Sequence, residues 1–143
     1  GPDGAPKDIA DKIEETRKAN EDGRIADSAK AGNELLEVVD RIDSHAMDPK
    51  ALDSVREAAK ELGGVIANLP LDFNDQTTTM RFSDLPLETQ GLVREMIDRV
   101  NKHIGEKDGD VATKDIKSFM SGGILLNQSQ LSSQLSKLLR ILT

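Results

Sequence analysis

The sequence LDSVREAAKELGGVIANL, residues 52–69, carries the strongest fold signal in the chain. Its apolar side chains recur at alternating intervals of three and four residues, at Leu52, Val55, Ala59, Leu62, Ile66 and Leu69. This a/d spacing is typical of a helix that packs at a shallow angle on neighbouring helices, so it predicts a helical bundle. Gly63-Gly64 lowers the helix propensity of the segment, and one reason to keep the pair is a close backbone approach by a neighbouring helix.

Helical periodicity extends on both sides of this segment. Further helices are predicted at residues 8–20, 25–44, 85–103, 113–121 and 128–142. The central helix is expected to start at Pro49, with Asp48 as its N-cap. No long alternating strand pattern is present, so the prediction is an all-α, compact bundle of five to six helices with heptad-like a/d packing. Its expected core includes Val55, Leu62, Ile66, Val93, Ile97, Val100, Leu135 and Leu138.

The chain length fits a single domain. Residues 1–7 are interpreted as a tail, in which Gly1-Pro2 is the remnant of a protease cleavage, and residues 8–143 as one helical-bundle domain. This domain is expected to comprise acidic N-terminal helices, a linker and C-terminal helices, at residues 8–69, 70–84 and 85–143. We expect the chain to be a fragment excised from a larger protein.

Composition excludes several classes of function. The net charge of −7 opposes binding to a nucleic-acid backbone, and no apolar run is long enough to span a membrane. The absence of cysteine excludes disulfides, thiolate catalysis and cysteine-based zinc sites. The absence of cysteine does not indicate a cellular compartment, because such a chain is compatible with the cytoplasm or with secretion. Trp and Tyr are also absent, so the core must be aliphatic.

Residues with catalytic potential are few and isolated. His45 and His103 are the only histidines, and neither has a second metal ligand or a serine partner at a useful spacing. Adjacent carboxylates such as Glu14-Glu15 lie in charge-rich amphipathic segments, which is typical of a solvated helix face. The sequence therefore predicts a protein that is not an enzyme and holds no cofactor.

The second half of the chain is predicted to bind a partner protein. Phe73 and Phe82 are two of the three aromatic residues and lie in the linker, and aromatic side chains are favoured at interface cores. Leu85 follows Phe82, and Leu131 lies on a final helix whose polar face consists of uncharged Ser and Gln. These four residues are the candidate partner-binding residues. The alternative is that the two aromatic rings hold the linker on the bundle.

Residues 104–115 resemble a degenerate EF-hand loop, with Gly109 at the sharp turn. In that register Glu106, Asp108 and Asp115 occupy the third, fifth and twelfth positions, while Ile104 occupies the first. The resemblance implies a calcium-responsive module that uses these three carboxylates. A polar turn between two helices is the alternative interpretation.

Residues 82–88, with the sequence FSDLPLE, resemble the opening of an F-box, a helical motif that docks an adaptor of ubiquitin ligases. The resemblance covers about twenty residues when Ile97 and Val100 are included. It implies an adaptor-binding role. A helix that starts at a proline and is capped by an aspartate explains the same residues.

The function that we expect is therefore a non-enzymatic, helical protein–protein interaction domain whose partner and oligomeric state the sequence does not identify. A second hypothesis is a secreted bacterial effector or a domain of a secretion apparatus. Zero cysteines, few aromatic residues and helices rich in Ser, Gln and Leu suit a chain that unfolds to pass a channel.

Overall fold

The computed structural model describes residues 5–40, 49–69 and 77–142. Within these ranges the chain is helical and contains no β-strand. The helices are α1 Ala5–Glu21, α2 Ile25–Asp40, α3 Pro49–Ala67, α4 Leu87–Ile104, α5 Glu106–Ala112, α6 Lys114–Met120 and α7 Gln128–Leu142. A single 3₁₀ turn, Phe82–Asp84, precedes α4, and one antiparallel bridge joins Met80 to Leu126. The all-α prediction is confirmed.

Helix α4 lies at the centre of the packing. It contacts α2, α5 and α7, while α1 packs on α2 and α3, and α7 also packs on α3. Consecutive turns of α4 bury large side chains, at Leu92, Val93, Met96, Ile97 and Val100. None of the described helices combines the length and the apolar composition required to cross a lipid bilayer.

Seven of the eight predicted core residues are buried, and Val55 is half-buried. Helix α3 buries a wider stripe than the predicted seam, because it packs against α1, α2 and α7. The fully buried side chains among its described residues are Ala58, Leu62, Val65 and Ile66, and Leu69 just beyond its end is buried as well, whereas the predicted seam residue Ala59 is half-buried. Strict heptad packing therefore remains a prediction.

Two glycine positions explain how the helices end and cross. Gly105 ends α4 with a φ of 87°, and its amide donates to the carbonyl of Asn101 at 3.0 Å. At the Gly63-Gly64 pair, a Cβ on Gly64 would lie 3.1 Å from the side chain of Asn20 on α1, while one on Gly63 would meet nothing. The close contact at Gly64 therefore comes from a side chain of α1 and not from a helix backbone.

Helix α5 corrects the sequence-based interpretation of residues 106–112 as a polar turn. Glu106 and Asp108 lie in its first turn, where negative charge favours the helix N-terminus. Gly109 is buried inside this helix, and the Thr113 hydroxyl donates to its carbonyl at 2.7 Å. A Cβ at Gly109 would lie 2.0 Å from Oδ1 of Asn101, so the glycine is needed for α5 to pack on α4.

Candidate functional site

Three of the four predicted partner-binding residues lie in the core. Phe82, Leu85 and Leu131 are buried and belong to the main cluster of packed side chains. Phe73 lies outside the described residues. All three side chains are buried in this conformation, and partner binding through them stays a prediction.

The Phe82 ring is enclosed from two sides. It meets the Phe119 ring edge-on, and the guanidinium carbon of Arg94 lies 5.0 Å from its centroid. The residues between Phe82 and α4 are fixed as well, because Nε2 of Gln90 donates a hydrogen bond to the carbonyl of Leu85 at 2.8 Å. Phe82 therefore holds the segment before α4 on the bundle, as the alternative interpretation expected.

The exposed apolar side chains lie elsewhere. Among the described residues, four large hydrophobic side chains are exposed: Leu87 by 78%, Val111 by 76%, Leu125 by 51% and Ile124 by 36%. Only Ile124 and Leu125 are adjacent, in residues 121–127 between α6 and α7, which we name the apolar loop. Leu87 is the first residue of α4.

The apolar loop is held by hydrogen bonds at both ends. The amides of residues 121–123 donate to carbonyls of the last turn of α6 at 2.8–3.1 Å. Leu126 and Met80 exchange two backbone hydrogen bonds of 2.8 and 3.2 Å. Asn127 and Gln130 form a reciprocal capping box at the start of α7, with both distances 2.9 Å. A loop fixed in this way needs little further ordering to bind a partner.

The bridge and the aromatic contact place the apolar loop beside the segment that leads into α4. Leu126 pairs with Met80, and Phe119 contacts Phe82 just before Leu87. No acidic residue occurs from residue 117 to the end of the chain, and the start of α7 is rich in uncharged Ser and Gln. Residues 117–142 therefore carry no side-chain carboxylate that would lose its hydration when a partner docks at the loop.

Charged groups with shifted pKa values lie on α1 and on the turn that follows it. The hydrogen bonds that Lys12 donates to Glu34 and Glu15 raise the pKa of the lysine. Arg17 lowers the pKa of Glu14 by a hydrogen bond. These groups pair with each other on solvated helix faces, so their pKa shifts indicate ion pairing rather than catalysis.

The carboxylates of the EF-hand resemblance lie on two helices. Glu106 and Asp108 are exposed on α5, and Asp115 is exposed in the first turn of α6. The loop implied by the resemblance is therefore a helix in the structure. Within the described part of the chain, no group of three or more His, Cys, Asp or Glu side chains could hold a metal ion.

The F-box resemblance falls on the 3₁₀ turn and the start of α4. Asp84 does not cap α4, because its carboxylate accepts the Arg81 amide at 2.9 Å and so closes the 3₁₀ turn. Pro86 precedes the helix, and Leu87 is its first residue.

A polar cavity and an exposed histidine are further features of the described residues. Ala19, Asn20, Gly23, Ser28 and Asn68 line a polar cavity of about 130 Å³. His103 is exposed on α4, while His45 lies outside the described residues.

Comparison with protein-family models, with curated proteins and with solved structures gave no match.

Proposed function

We propose that this domain is a non-enzymatic helical module that binds another protein through the apolar loop. The observation that carries the proposal is the exposure of Ile124 and Leu125 on a loop held at both ends by hydrogen bonds. Single exposed leucines are ordinary, but two adjacent apolar side chains in a fixed loop offer area without a large entropic cost.

The chemistry of the expected partner follows from the surroundings of the loop. The loop backbone is rich in Gly and Ser, and no carboxylate occurs after residue 115. We therefore expect an apolar, weakly charged patch on a folded partner protein. The net charge of −7 supports a protein partner over a nucleic acid.

The non-enzymatic part of the proposal is supported by the described side chains. Carboxylates on α1 and α4 pair with lysines and arginines one helical turn away, as Arg17 does with Glu21 at 2.9 Å and Lys102 with Asp98 at 3.2 Å. Such pairs are typical of solvated helix surfaces.

The test compares what wild-type and variant proteins capture from native extract. The variant carries Ile124→Ser and Leu125→Ser, and the control carries Val111→Ser, which removes a single apolar and more exposed side chain on α5. We expect one or more proteins to be captured by the wild type and the control and lost with the double variant. Urea unfolding of all three proteins ensures that they are equally folded.

A captured set that is identical for the double variant and the control would contradict the proposal. Leu87→Ser provides a third comparison. Loss of the same proteins would extend the binding surface from the loop to the start of α4.

A further inference from the structure

Helix α1 is attached to the domain by few large side chains. Among its described side chains, residues 7–21, those fully buried are Ile9, Thr16 and Ala19, so one large apolar side chain is completely buried there, and Ile13 is half-buried. Helix α4, of similar length, buries five large apolar side chains. The hydrophobic contribution that holds α1 in place is correspondingly small.

The main hydrophobic cluster of the described residues does not include α1. It consists of side chains from α2, α3, α4, α6, α7, the segment 80–85, Leu69 and Leu126, and of the described side chains of α1 only Ile13 packs against it. Because α1 packs on α2 and α3, its removal would leave the contacts of α4 with α2 and with α7 in place.

The polar contacts of α1 stabilise the helix itself more than its attachment. Arg17 pairs with Glu14 and Glu21 within the helix. Polar contacts to other helices include the Lys12–Glu34 ion pair and a 3.4 Å hydrogen bond from Asn20 to the carbonyl of Glu61. Oδ1 of Asn20 is buried without a hydrogen bond, which is a cost of the docked position.

We propose that α1 opens from the domain as a unit while α2–α7 stay folded. In the closed state α1 covers a surface of α2 and α3. When α1 opens, this surface, whose shape fits a helix, becomes exposed. Regions with few buried apolar contacts open more often than the core of the same protein. The proposal is independent of the apolar loop.

Native-state hydrogen exchange on the full chain tests it. We expect the openings that expose the amides of residues 10–20 to be at least about 100-fold more frequent than those that expose residues 92–100. A ratio of this size lies within the range between local opening and global unfolding. Ile9→Ala should accelerate exchange in α1 by about 30-fold or more and leave α4 unchanged, since about 2 kcal/mol or more is lost with a buried Ile.

Leu135→Ala is the matched control, because Leu135 is as fully buried as Ile9 but belongs to the main cluster. It should accelerate exchange of the most protected amides in α4. Equal opening frequencies for α1 and α4 in the wild type, or equal acceleration of both helices by Ile9→Ala, would overturn the proposal. Loss of all protection in Ile9→Ala would overturn it as well.

Discussion

The rings of Phe82 and Phe119 meet edge to face, with centroids 5.9 Å apart and planes at 87°. This contact connects the 3₁₀ turn before α4 to α6, although the two residues are far apart in sequence. It also brings the apolar loop, which begins shortly after Phe119, next to the Met80 segment. The geometry that presents Ile124 and Leu125 therefore depends on this aromatic pair.

Truncation of the aromatic pair should lower stability cooperatively. Phe82→Ala should cost about 3–5 kcal/mol, the range for a buried Phe. In a double-mutant cycle, Phe82→Leu and Phe119→Leu should couple by about 0.5–1.5 kcal/mol, as edge-to-face pairs do. Urea unfolding of the wild type, the two single Leu variants and the double variant measures this coupling free energy. Additive effects of the two substitutions would show that the rings do not interact.

Helix α3 offers a comparison between a fully and a half-buried position. Leu62→Ala should cost about 2–5 kcal/mol, because Leu62 is buried in the main cluster. Val55→Ala should cost less, since Val55 is half-buried. The free energies of unfolding in urea measure both. A larger cost at Val55 would show that α3 is rotated relative to the structure.

Two helical glycines should respond oppositely to alanine. Gly109→Ala should destabilise the domain, because the new Cβ meets Oδ1 of Asn101 at 2.0 Å and its Cα at 3.0 Å. Gly63→Ala should stabilise it by up to about 1 kcal/mol, because the space is open and Ala favours the helix. Thermal unfolding compares the two. A neutral Gly109→Ala would argue against the close packing of α5 on α4.

The Lys12–Glu34 ion pair should give a pH-dependent contribution. The pKa of Lys12 is raised above its ordinary 10.5 by its hydrogen bond to Glu34. The stabilisation is therefore fully present below 10.5 and is lost as the pH rises through the folded-state pKa. At neutral pH Lys12→Met should cost about 1 kcal/mol or less, because the pair is partly exposed.

Urea unfolding of wild type and Lys12→Met at several pH values measures this difference. It should stay constant around neutral pH and shrink in strongly alkaline solution. A difference that grows with alkalinity would have the wrong sign for this ion pair.

The sequence predicted the helices well where apolar residues repeat regularly. Helix α7 has the predicted bounds, and α4 differs by two residues at its start and one at its end. Helix α5 was missed because Asp108-Gly109-Asp110 has the composition of a turn. Its helical state depends on the fit of Gly109 against Asn101, which is a tertiary contact that no local pattern encodes.

The candidate site was harder to predict. Phe82 left two interpretations open, a partner-facing ring and a ring that holds the linker on the bundle. The 3₁₀ turn directs its ring against Phe119, 37 positions further along the chain. A local signal for the apolar loop did exist. Ile124-Leu125-Leu126 follows Gly122-Gly123 between two helices, and three consecutive apolar residues in a turn cannot all face the core.

The affinity of the domain for a protein that it captures tests the central claim most directly. Isothermal titration would compare the wild type, the Ile124→Ser and Leu125→Ser double variant, and the Val111→Ser control. If the apolar loop is the binding surface, Kd rises about tenfold or more for the double variant and stays unchanged for the control. A tenfold rise corresponds to the loss of about 1.4 kcal/mol of binding free energy, as expected when interface side chains are removed. An unchanged Kd for an equally stable double variant would contradict the account.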